Sequence, residues 1–281
     1  MPTIHIESVA DPRLAVYRDL KSPESKRRSD RFVVEGRLLA ERLLHSELRI
    51  ASVVAEDRLV EELRSLVPQA VPLYVLPRGL FKELAGFKFH RGVLACGYRP
   101  DHPDLRTAVD AAGRHCVLSV CVGVGDPENL GGIIRTSAAF GVAAVVLGPN
   151  CVDPFSRRVA RTAMGTNFRL PVAESSELEQ ELSVLRGEAG VRLVATVLDN
   201  TAVPLDAMQW SPRTAVLFGS EGFGLDQHWL ALCDDRVTIP MRPGVDSLNV
   251  SVAAGIFLFH ATRRLRHVAN PREDAEGNAS S

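Results

Sequence analysis

The sequence predicts an α/β protein of two domains, with a parallel sheet in the second domain. In both halves of the 281-residue chain, short β-branched runs alternate with stretches whose apolar residues recur at helical spacing. The run Cys116–Val124 is apolar almost throughout, as expected for a strand buried on both faces of a parallel sheet. A chain of this length is natural for two domains.

The first half contains the elements of a small α/β domain, which we place at residues 1–100. Its predicted helices are Phe32–His45, Arg58–Val67 and Gly79–Ala85. Its predicted strands are Ile50–Ala55, Val71–Leu76 and Gly92–Gly97. The segment Tyr98–Asp104 combines two prolines with mixed charge, so residues 101–115 are expected to form a linker.

The second half, residues 116–268, repeats the alternation of strand and helix. After Cys116–Val124, the predicted strands are Ala143–Leu147, Val191–Val197, Thr214–Phe218 and Arg236–Ile239. A last helix is predicted over Ser247–Arg266, with Leu248, Val252, Ile256 and Phe259 on one side. Residues 269–281 are polar and are expected to be a disordered tail.

Composition excludes several classes of protein. No apolar run approaches the ~20 residues that span a bilayer, so we expect no membrane partner. The first ten residues lack the features of a signal peptide, which favours the cytoplasm. The five cysteines form no CxxC pair and the eight histidines form no HExxH, so reduced core thiols and no metal are expected.

The charge of the chain is distributed unevenly. The net charge is −1, yet eight Lys and Arg residues lie between Arg18 and Arg42, among them Lys26, Arg27 and Arg28. Such a basic patch is typical of a surface that binds phosphates. A solvated helix face with its loop is the alternative interpretation, and the sequence alone does not choose between them.

Polar and glycine-rich segments follow three predicted strands of the second half. They read GDPENLGGIIRTSAAF from Gly125, LFGSEGFGL from Leu217 and IPMRPGVDSLNVS from Ile239. In open parallel sheets, ligands bind beyond the carboxyl ends of the strands. The segments contain neither a Walker loop nor GxGxxG, and the absence of the glycine fingerprint argues against a dinucleotide-dependent oxidoreductase.

Ordinary helix capping explains part of these segments. Asn129 could cap the first helix and Ser247 the last one. Capping gives no reason for Arg135 inside an otherwise apolar helix, and Asn249 is harder to assign to it. The compact cluster of Gly219, Gly222 and Gly224 around Glu221 suggests a ligand lying against the main chain.

In this order the three segments resemble the signature motifs of the SpoU-type (TrmH-like) branch of the SPOUT methyltransferases. The motifs are DPENLGGIIRT, FGSEGFGL and IPM followed by SLNVSVA, and the resemblance covers residues 116–266. The first half is similar to the family's ribosomal-protein-like substrate-binding domain, with FVVEGRLLAERLL near its start and HRGVLA at its close. Arg91 of the second stretch stands where the family usually has Gln.

The resemblance implies methyl transfer from S-adenosylmethionine to a ribose 2′-hydroxyl in ribosomal or transfer RNA. It implies a homodimer, and a parallel-sheet SPOUT domain with a deep trefoil knot preceded by a small α/β RNA-binding domain. The implied contacts of S-adenosylmethionine lie around Thr196, Gly219, Ile239 and Leu248. The implied catalytic residues are Asn129, Arg135, Glu221, Ser247 and Asn249. The RNA-contacting residues are expected to include Lys26, Arg27, Arg28 and Arg91.

The residue types suit that chemistry. A guanidinium holds its proton far above neutral pH, so Arg135 is a poor base and suits a clamp on a phosphate or on the developing oxyanion. Glu221 could orient Arg135 or take the hydroxyl proton through water. Asn129 and Asn249 would hold the ribose and the neighbouring backbone.

Two alternatives to ribosomal RNA methylation stay open at this point. The substrate could be transfer RNA, although compact transfer RNA enzymes of this family often lack a domain such as residues 1–100. A catalytically idle RNA-binding protein could keep the same fold. The intact motif residues argue against the second alternative, and the separate first domain favours ribosomal RNA.

Overall fold

A computed structural model describes residues 2–18, 30–85, 92–101 and 104–263. The chain divides into two compact units. One unit consists of Met1–Asp101 with Asp153–Arg169, and the other of His102–Val152 with Leu170–Ser281. Each unit is built around its own sheet.

The described strands and helices alternate along most of the chain. The strands are β1 (Thr3–His5), β2 (Arg31–Glu35), β3 (Ile50–Glu56), β4 (Leu73–Leu76), β5 (Val93–Tyr98), β6 (Cys116–Cys121), β7 (Ala144–Leu147), β8 (Val172–Glu174), β9 (Arg192–Thr196), β10 (Val203–Pro204), β11 (Arg213–Phe218) and β12 (Asp235–Thr238). The α-helices are α1 (Arg37–Leu44), α2 (Val60–Arg64), α3 (Arg78–Ala85), α4 (Leu105–Ala111), α5 (Pro127–Phe140), α6 (Arg157–Thr162), α7 (Leu178–Ala189), α8 (Gln227–Leu232) and α9 (Val250–Ala261).

The first unit has a five-stranded mixed sheet in the order β1-β4-β3-β5-β2. Strands β1, β4 and β3 run parallel, and β5 pairs antiparallel with both β3 and β2. Both faces of the sheet are covered by buried side chains. Phe32 and Val34 belong to one apolar cluster, and Val33 between them belongs to the other.

This two-sided burial explains why the predicted helix over Phe32–His45 was wrong at its start. Residues Arg31–Glu35 form strand β2, and the helix begins only at Arg37. Gly36 separates the two with a φ of 89°, which glycine adopts readily. A strand that is apolar on both faces has no alternating pattern, so its sequence can be mistaken for the beginning of a helix.

Strands β1, β8 and β10 have no counterpart in the sequence prediction. They contain only two or three residues each, too few for a recognisable pattern. All three occupy edges of the sheets. The predicted strands are confirmed within about two residues at each end, except that Cys116–Val124 ends three residues earlier, at Cys121.

The segment Asp153–Arg169 interrupts the predicted domain 116–268, because it packs with the first unit. Phe155 and Phe168 join the apolar cluster around Phe32, with ring centroids 4.9 and 5.7 Å from that ring. Arg99 also donates to both carboxylate oxygens of Asp153, at 2.8 and 2.7 Å. These apolar and ionic contacts explain why the segment packs with the first unit, although the residues on both sides of it in the sequence belong to the second.

The second unit has a seven-stranded sheet in the order β10-β12-β9-β11-β6-β7-β8, with every pairing parallel. This confirms the predicted fold class. The prediction of a linker over residues 101–115 was wrong, because this stretch contains helix α4. Leu105 and Val109 of α4 are buried in the same apolar cluster as Leu182 of α7.

Helix α9 packs against α5 in the second unit. A Cβ at Gly132 would lie 2.9 Å from the Cβ of Ser251, so the absence of a side chain lets the helices approach closely. Phe140 and Phe259 make an edge-to-face contact at the other end, with centroids 5.7 Å apart. Helix α9 begins at Val250, three residues later than the predicted helix Ser247–Arg266. Residues 264–266 of that prediction and the tail 269–281 lie outside the described residues.

All five cysteines are free thiols, as predicted. Cys233 is half-buried and the other four are buried. Burial raises the pKa of Cys96 and Cys233 to about 12 and that of Cys116 to about 11. These thiols therefore stay protonated at neutral pH, which suits inert packing residues. Within the described ranges, no helix is both long and apolar enough to cross a membrane.

The Arg99–Asp153 pair yields a stability prediction. Only 16% and 13% of these side chains are exposed, so Asp153→Asn removes a charge partner from a largely desolvated guanidinium. Asparagine still accepts from the Phe155 N–H, which limits the change to the ion pair. We expect the free energy of unfolding to fall by about 1.5–3 kcal/mol in urea denaturation.

The matched control is Asp110→Asn. Asp110 pairs with Arg106 at 2.8 Å, but the two side chains are 50% and 41% exposed. Solvent screens such a pair, and its loss should cost less than about 1 kcal/mol. Equal effects of the two substitutions would contradict a stabilising role for the buried pair.

Candidate active site

The three polar segments follow strands β6, β11 and β12 of the second unit, and β9 lies between β11 and β12 in the sheet. Strands β12, β9, β11 and β6 are consecutive in the sheet and all parallel. Their carboxyl ends therefore meet at one edge. Thr196 ends β9, while Gly219 and Ile239 directly follow β11 and β12. The edge so defined is the location predicted for a ligand.

The segment after β6 forms the N-terminus of helix α5. Asp126 is the N-cap, and its carboxylate accepts from the backbone N–H groups of Glu128 and Asn129 at 2.8 and 3.0 Å. Pro127 occupies the first helical position, where its missing N–H costs nothing. The interpretation of Asn129 as the cap was wrong, and its side-chain amide is available for other contacts.

That amide connects all three motifs. The Asn129 Nδ2 donates to Oε1 of Glu221 at 2.7 Å, and its Oδ1 accepts from Nδ2 of Asn249 at 2.8 Å. Asn129 is only 9% exposed, so both bonds satisfy groups that water reaches poorly. Residues about 120 positions apart are thus joined into one hydrogen-bonded group, which we call the amide network: Asn129, Glu221 and Asn249.

Asn249 reaches this network from the start of helix α9. Its Oδ1 accepts from the Ser251 N–H at 2.9 Å and the Ser251 hydroxyl at 2.8 Å, so Asn249 is the N-cap. The expectation that Ser247 caps this helix was therefore wrong. Ser247 is exposed in the preceding loop. One amide thus caps α9 with its oxygen and holds Asn129 with its nitrogen.

The loop that carries Glu221 is a tight turn closed by its own backbone. Ser220 and Gly224 exchange two hydrogen bonds, of 3.1 and 2.9 Å. A Cβ at Gly219 would lie 2.0 Å from the carbonyl carbon of Gly224 and 2.3 Å from the Leu225 nitrogen. Only glycine at this position permits the turn, which in turn sets the position of the Glu221 carboxylate.

Arg135 lies apart from the amide network. It is six residues beyond Asn129 on helix α5, which places it about 9 Å along the axis and roughly 120° around it. It shares the exposed stripe of the helix with Glu128 and Ala139. Within the described residues its side chain makes neither a hydrogen bond nor an ion pair. Glu221 therefore holds Asn129, and the expected contact between Glu221 and Arg135 is not formed within this chain.

The residues expected around the cofactor line the same edge. The Thr196 hydroxyl donates to the Leu217 carbonyl at 2.9 Å, linking the ends of β9 and β11. Ile239 and Leu248 are half-buried. Three large apolar side chains in the loops here are exposed: Leu198, Phe223 and Val245. Nothing in the sequence marks these three side chains, because exposure in a loop leaves no periodic signal.

The structure describes other residues of the basic patch, but none of the four residues named as RNA contacts. Lys26, Arg27, Arg28 and Arg91 lie outside the described residues. Arg37 of the same patch pairs with Glu41 at 2.6 Å, and Arg42 donates to the Met164 carbonyl. Both arginines thus make contacts within the protein. For these two residues this favours an ordinary helix face over a phosphate-binding surface.

Arg31 of the same patch belongs to a cationic group on the first unit. The guanidinium carbons of Arg49 and Arg31 lie 3.7 and 4.9 Å from the centroid of the Tyr98 ring. The three residues come from neighbouring positions: Arg31 is paired with Tyr98 in register, and the Tyr98 N–H donates to the Arg49 carbonyl. Cations interleaved with an aromatic ring are typical of nucleic-acid-binding surfaces.

No cluster of metal-binding side chains accompanies the site in the part of the chain that the structure describes, where no three His, Cys, Asp or Glu residues could hold an ion together. The available chemistry consists of amides, one carboxylate, main-chain groups and apolar side chains. Such a set suits an organic cofactor and a polar substrate.

Comparison with known proteins defines the family. The model of the SpoU rRNA methylase family matches residues 117–259. An uncharacterised tRNA/rRNA methyltransferase of Mycobacterium bovis is 36% identical over 92% of this chain and 91% of its own length. The 23S rRNA (guanosine(2553)-2′-O)-methyltransferase RlmP of Bacillus subtilis is 30% identical over 91% of this chain and 98% of its own.

The solved structures agree. The AdoMet-bound rRNA methyltransferase of Sinorhizobium meliloti aligns with a TM-score of 0.81 at 25% identity, covering 94% of this chain and 98% of that one. The fold and site thus define an RNA methyltransferase that uses S-adenosylmethionine and acts on a ribose 2′-hydroxyl. The chain belongs to the SpoU rRNA methylase family.

Gly219 provides a test of the cofactor edge. Gly219→Ala forces a Cβ into the backbone of Gly224 and Leu225, so the turn must open. Overpacking of this kind costs about 1–3 kcal/mol, and we expect calorimetry to show S-adenosylmethionine binding weakened about tenfold or more.

Gly222→Ala is the matched control in the same loop. A Cβ there meets nothing within 4 Å, so affinity should be unchanged. Normal cofactor binding by Gly219→Ala would show that the turn does not form part of the cofactor site.

Proposed function

We propose that this enzyme methylates a ribose 2′-hydroxyl of ribosomal RNA at the amide network. The observation that carries the proposal is the joining of Asn129, Glu221 and Asn249 by bonds of 2.7 and 2.8 Å. Ribosomal RNA is favoured because the Bacillus subtilis relative, named for 23S rRNA, aligns along 91% of the chain and so includes the first unit. Activity on RNA is consistent with the expected cytoplasmic location.

The carboxyl edge fits S-adenosylmethionine. Main-chain groups around Thr196, Gly219, Ile239 and Leu248 would hold its polar parts, and the exposed Leu198 and Val245 offer apolar contact for its adenosine. When bound, the cofactor supplies an electrophilic methyl group. The residues of this chain must then place the ribose oxygen in line with that methyl and deal with the hydroxyl proton.

The amide network performs the positioning. Asn129 has both ends of its amide engaged, so its side chain cannot rotate without breaking a bond to Glu221 or Asn249. Glu221 is an exposed residue, and the hydrogen bonds it accepts from Asn129 and from the Asp126 N–H both go to Oε1. We assign Glu221 to accept the hydroxyl proton, directly or through one water, since among these three side chains only the carboxylate can act as a base.

Arg135 stabilises charge in this proposal, and it does so across a homodimer. On its own chain it lies on the stripe of α5 that turns away from Asn129. A second copy packed on the α5 and α9 surface would bring each Arg135 toward the partner's reaction centre. There a guanidinium can hold a phosphate or the developing oxyanion in a bidentate manner.

Helix α9 supports the dimer. Ala254, Phe257 and Leu258 are buried in this chain, while Val252 and Phe259 on its other side are about half exposed. A helix that is apolar all round is normally buried all round. A second copy of the chain would cover the exposed side. The deep trefoil knot of the family stays a prediction.

The first unit would bind the RNA outside the reaction centre. The group formed by Arg31, Tyr98 and Arg49 supplies charge and a stacking surface. Lys26, Arg27 and Arg28 stand just before Arg31 in the sequence and add to the positive charge. Arg91 stands just before β5 in the sequence. These residues would hold phosphates, and such contacts weaken as salt rises.

The test is methyl transfer from labelled S-adenosylmethionine to unmodified 23S rRNA and, separately, to bulk transfer RNA. We expect 2′-O-methylation at one position of the ribosomal RNA, because the first unit recognises a folded RNA. Glu221→Gln serves as a control that keeps the bond from Asn129 but lacks the base. Methylation of transfer RNA alone would replace the proposed substrate, and no methylation of either would favour the idle RNA-binding protein.

Mixed dimers test the sharing of Arg135. Arg135→Ala and Glu221→Ala are each expected to lose activity, by roughly 10²–10³-fold for the loss of one preorganised group. In a dimer of one variant with the other, both lesions fall in one site and the second site is intact. Random mixing should therefore restore about a quarter of the wild-type activity.

A combined preparation that stays as inactive as either parent would show that Arg135 acts within its own chain. Light scattering on the wild type supplies the control, since the scheme requires about twice 30.6 kDa. A monomer that methylates RNA would contradict the shared site.

A further inference from the structure

Phe223 is the most exposed large apolar side chain of the described residues, at 96%. It lies in the loop between Ser220 and Gly224, two residues after Glu221. Two residues of extended chain span at most about 7 Å, so the Cα atoms of Phe223 and Glu221, the proposed base, lie within that distance. A ligand that covered this ring would remove its apolar area from water, which favours binding.

The loop holds this ring out in a fixed way. Backbone bonds between Ser220 and Gly224 close the turn, and the Phe223 N–H donates to the Ser220 hydroxyl at 3.3 Å. Both chain neighbours are glycines, and a Cβ at Gly222 or Gly224 would meet nothing within 4 Å. Among the described residues the ring has no aromatic contact. Its faces are therefore open to a flat partner.

We propose that Phe223 stacks on a base of the RNA substrate, beside the ribose that is methylated. This assignment rests on the proposed function. The substrate is RNA, and every base has a π-face that stacks on an aromatic ring whatever its sequence. Because Glu221 and Phe223 share one rigid turn, the stack fixes the nucleotide at a set distance from the carboxylate. Phe223 is thus a positioning residue and takes no part in proton transfer.

The test compares Phe223→Ala with Phe223→Tyr in steady-state methylation of an unmodified 23S rRNA transcript. Loss of one stacked base should raise KM for the RNA by about 5- to 150-fold, with a smaller change in kcat. Tyrosine keeps the ring and should restore KM. Affinity for S-adenosylmethionine and the oligomeric mass should be the same in both variants.

Val184→Ala provides the matched control. Val184 is an exposed apolar residue on α7, remote in sequence from the three motifs, and its removal should leave KM unchanged. A direct measurement uses Phe223→Trp. Its additional fluorescence, relative to the wild type with Trp210 and Trp229, should be quenched when the transcript binds.

Three results would overturn the stacking role. An unchanged KM in Phe223→Ala would show that no base contacts the ring. A fall in oligomeric mass would assign the ring to the contact between copies, and weaker S-adenosylmethionine binding would assign it to the cofactor. Failure of the wild type to methylate RNA would instead refute the proposed function, whereas RNA-dependent quenching of Phe223→Trp would still report stacking.

Discussion

The hydrogen bonds of the Asn129 side chain are the interaction on which the site depends. Its amide is nearly buried, and its donor and acceptor are matched by Glu221 and Asn249. An unmatched buried polar group costs about 1–3 kcal/mol, so all three motifs are held to one arrangement. The parallel sheet makes this possible, because it brings the ends of β6 and β11 to the same edge.

Most of the fold could be predicted from the sequence, because buried parallel strands such as β6 and β11 are long apolar runs with polar ends. The helix start at Arg37 could not, since β2 is apolar on both faces. The placement of Asp153–Arg169 also depends on contacts between distant residues, such as Phe155 with Phe32. Sequence patterns report local periodicity and say little about which sheet a segment joins.

The sequence motifs contain the three residues of the amide network but did not show which residues cap the helices, and the catalytic and binding roles stay predictions. The three motifs made Asn129, Glu221 and Asn249 candidate site residues, and the structure joins their side chains by two hydrogen bonds. Which residue caps which helix was predicted wrongly, because Asn129 and Asp126 both suit a cap and only the backbone decides between them. The separation of Arg135 from this group follows from helical geometry, since six residues carry a side chain to a different face.

The contacts of Asp153–Arg169 have a consequence for how this enzyme can be divided. The family model matches residues 117–259 without a break, so relatives share this stretch as one continuous sequence. In the folded protein the stretch is divided between the two units, because the segment contributes Phe155 and Phe168 to the core of the first unit. Cutting the chain between the two expected domains would leave a cavity in the first fragment, where Phe155 and Phe168 pack. The second fragment would carry the segment Asp153–Arg169 with its apolar side chains exposed, which favours aggregation. A recombination that exchanged the first unit among relatives would need to exchange this internal segment with residues 1–101.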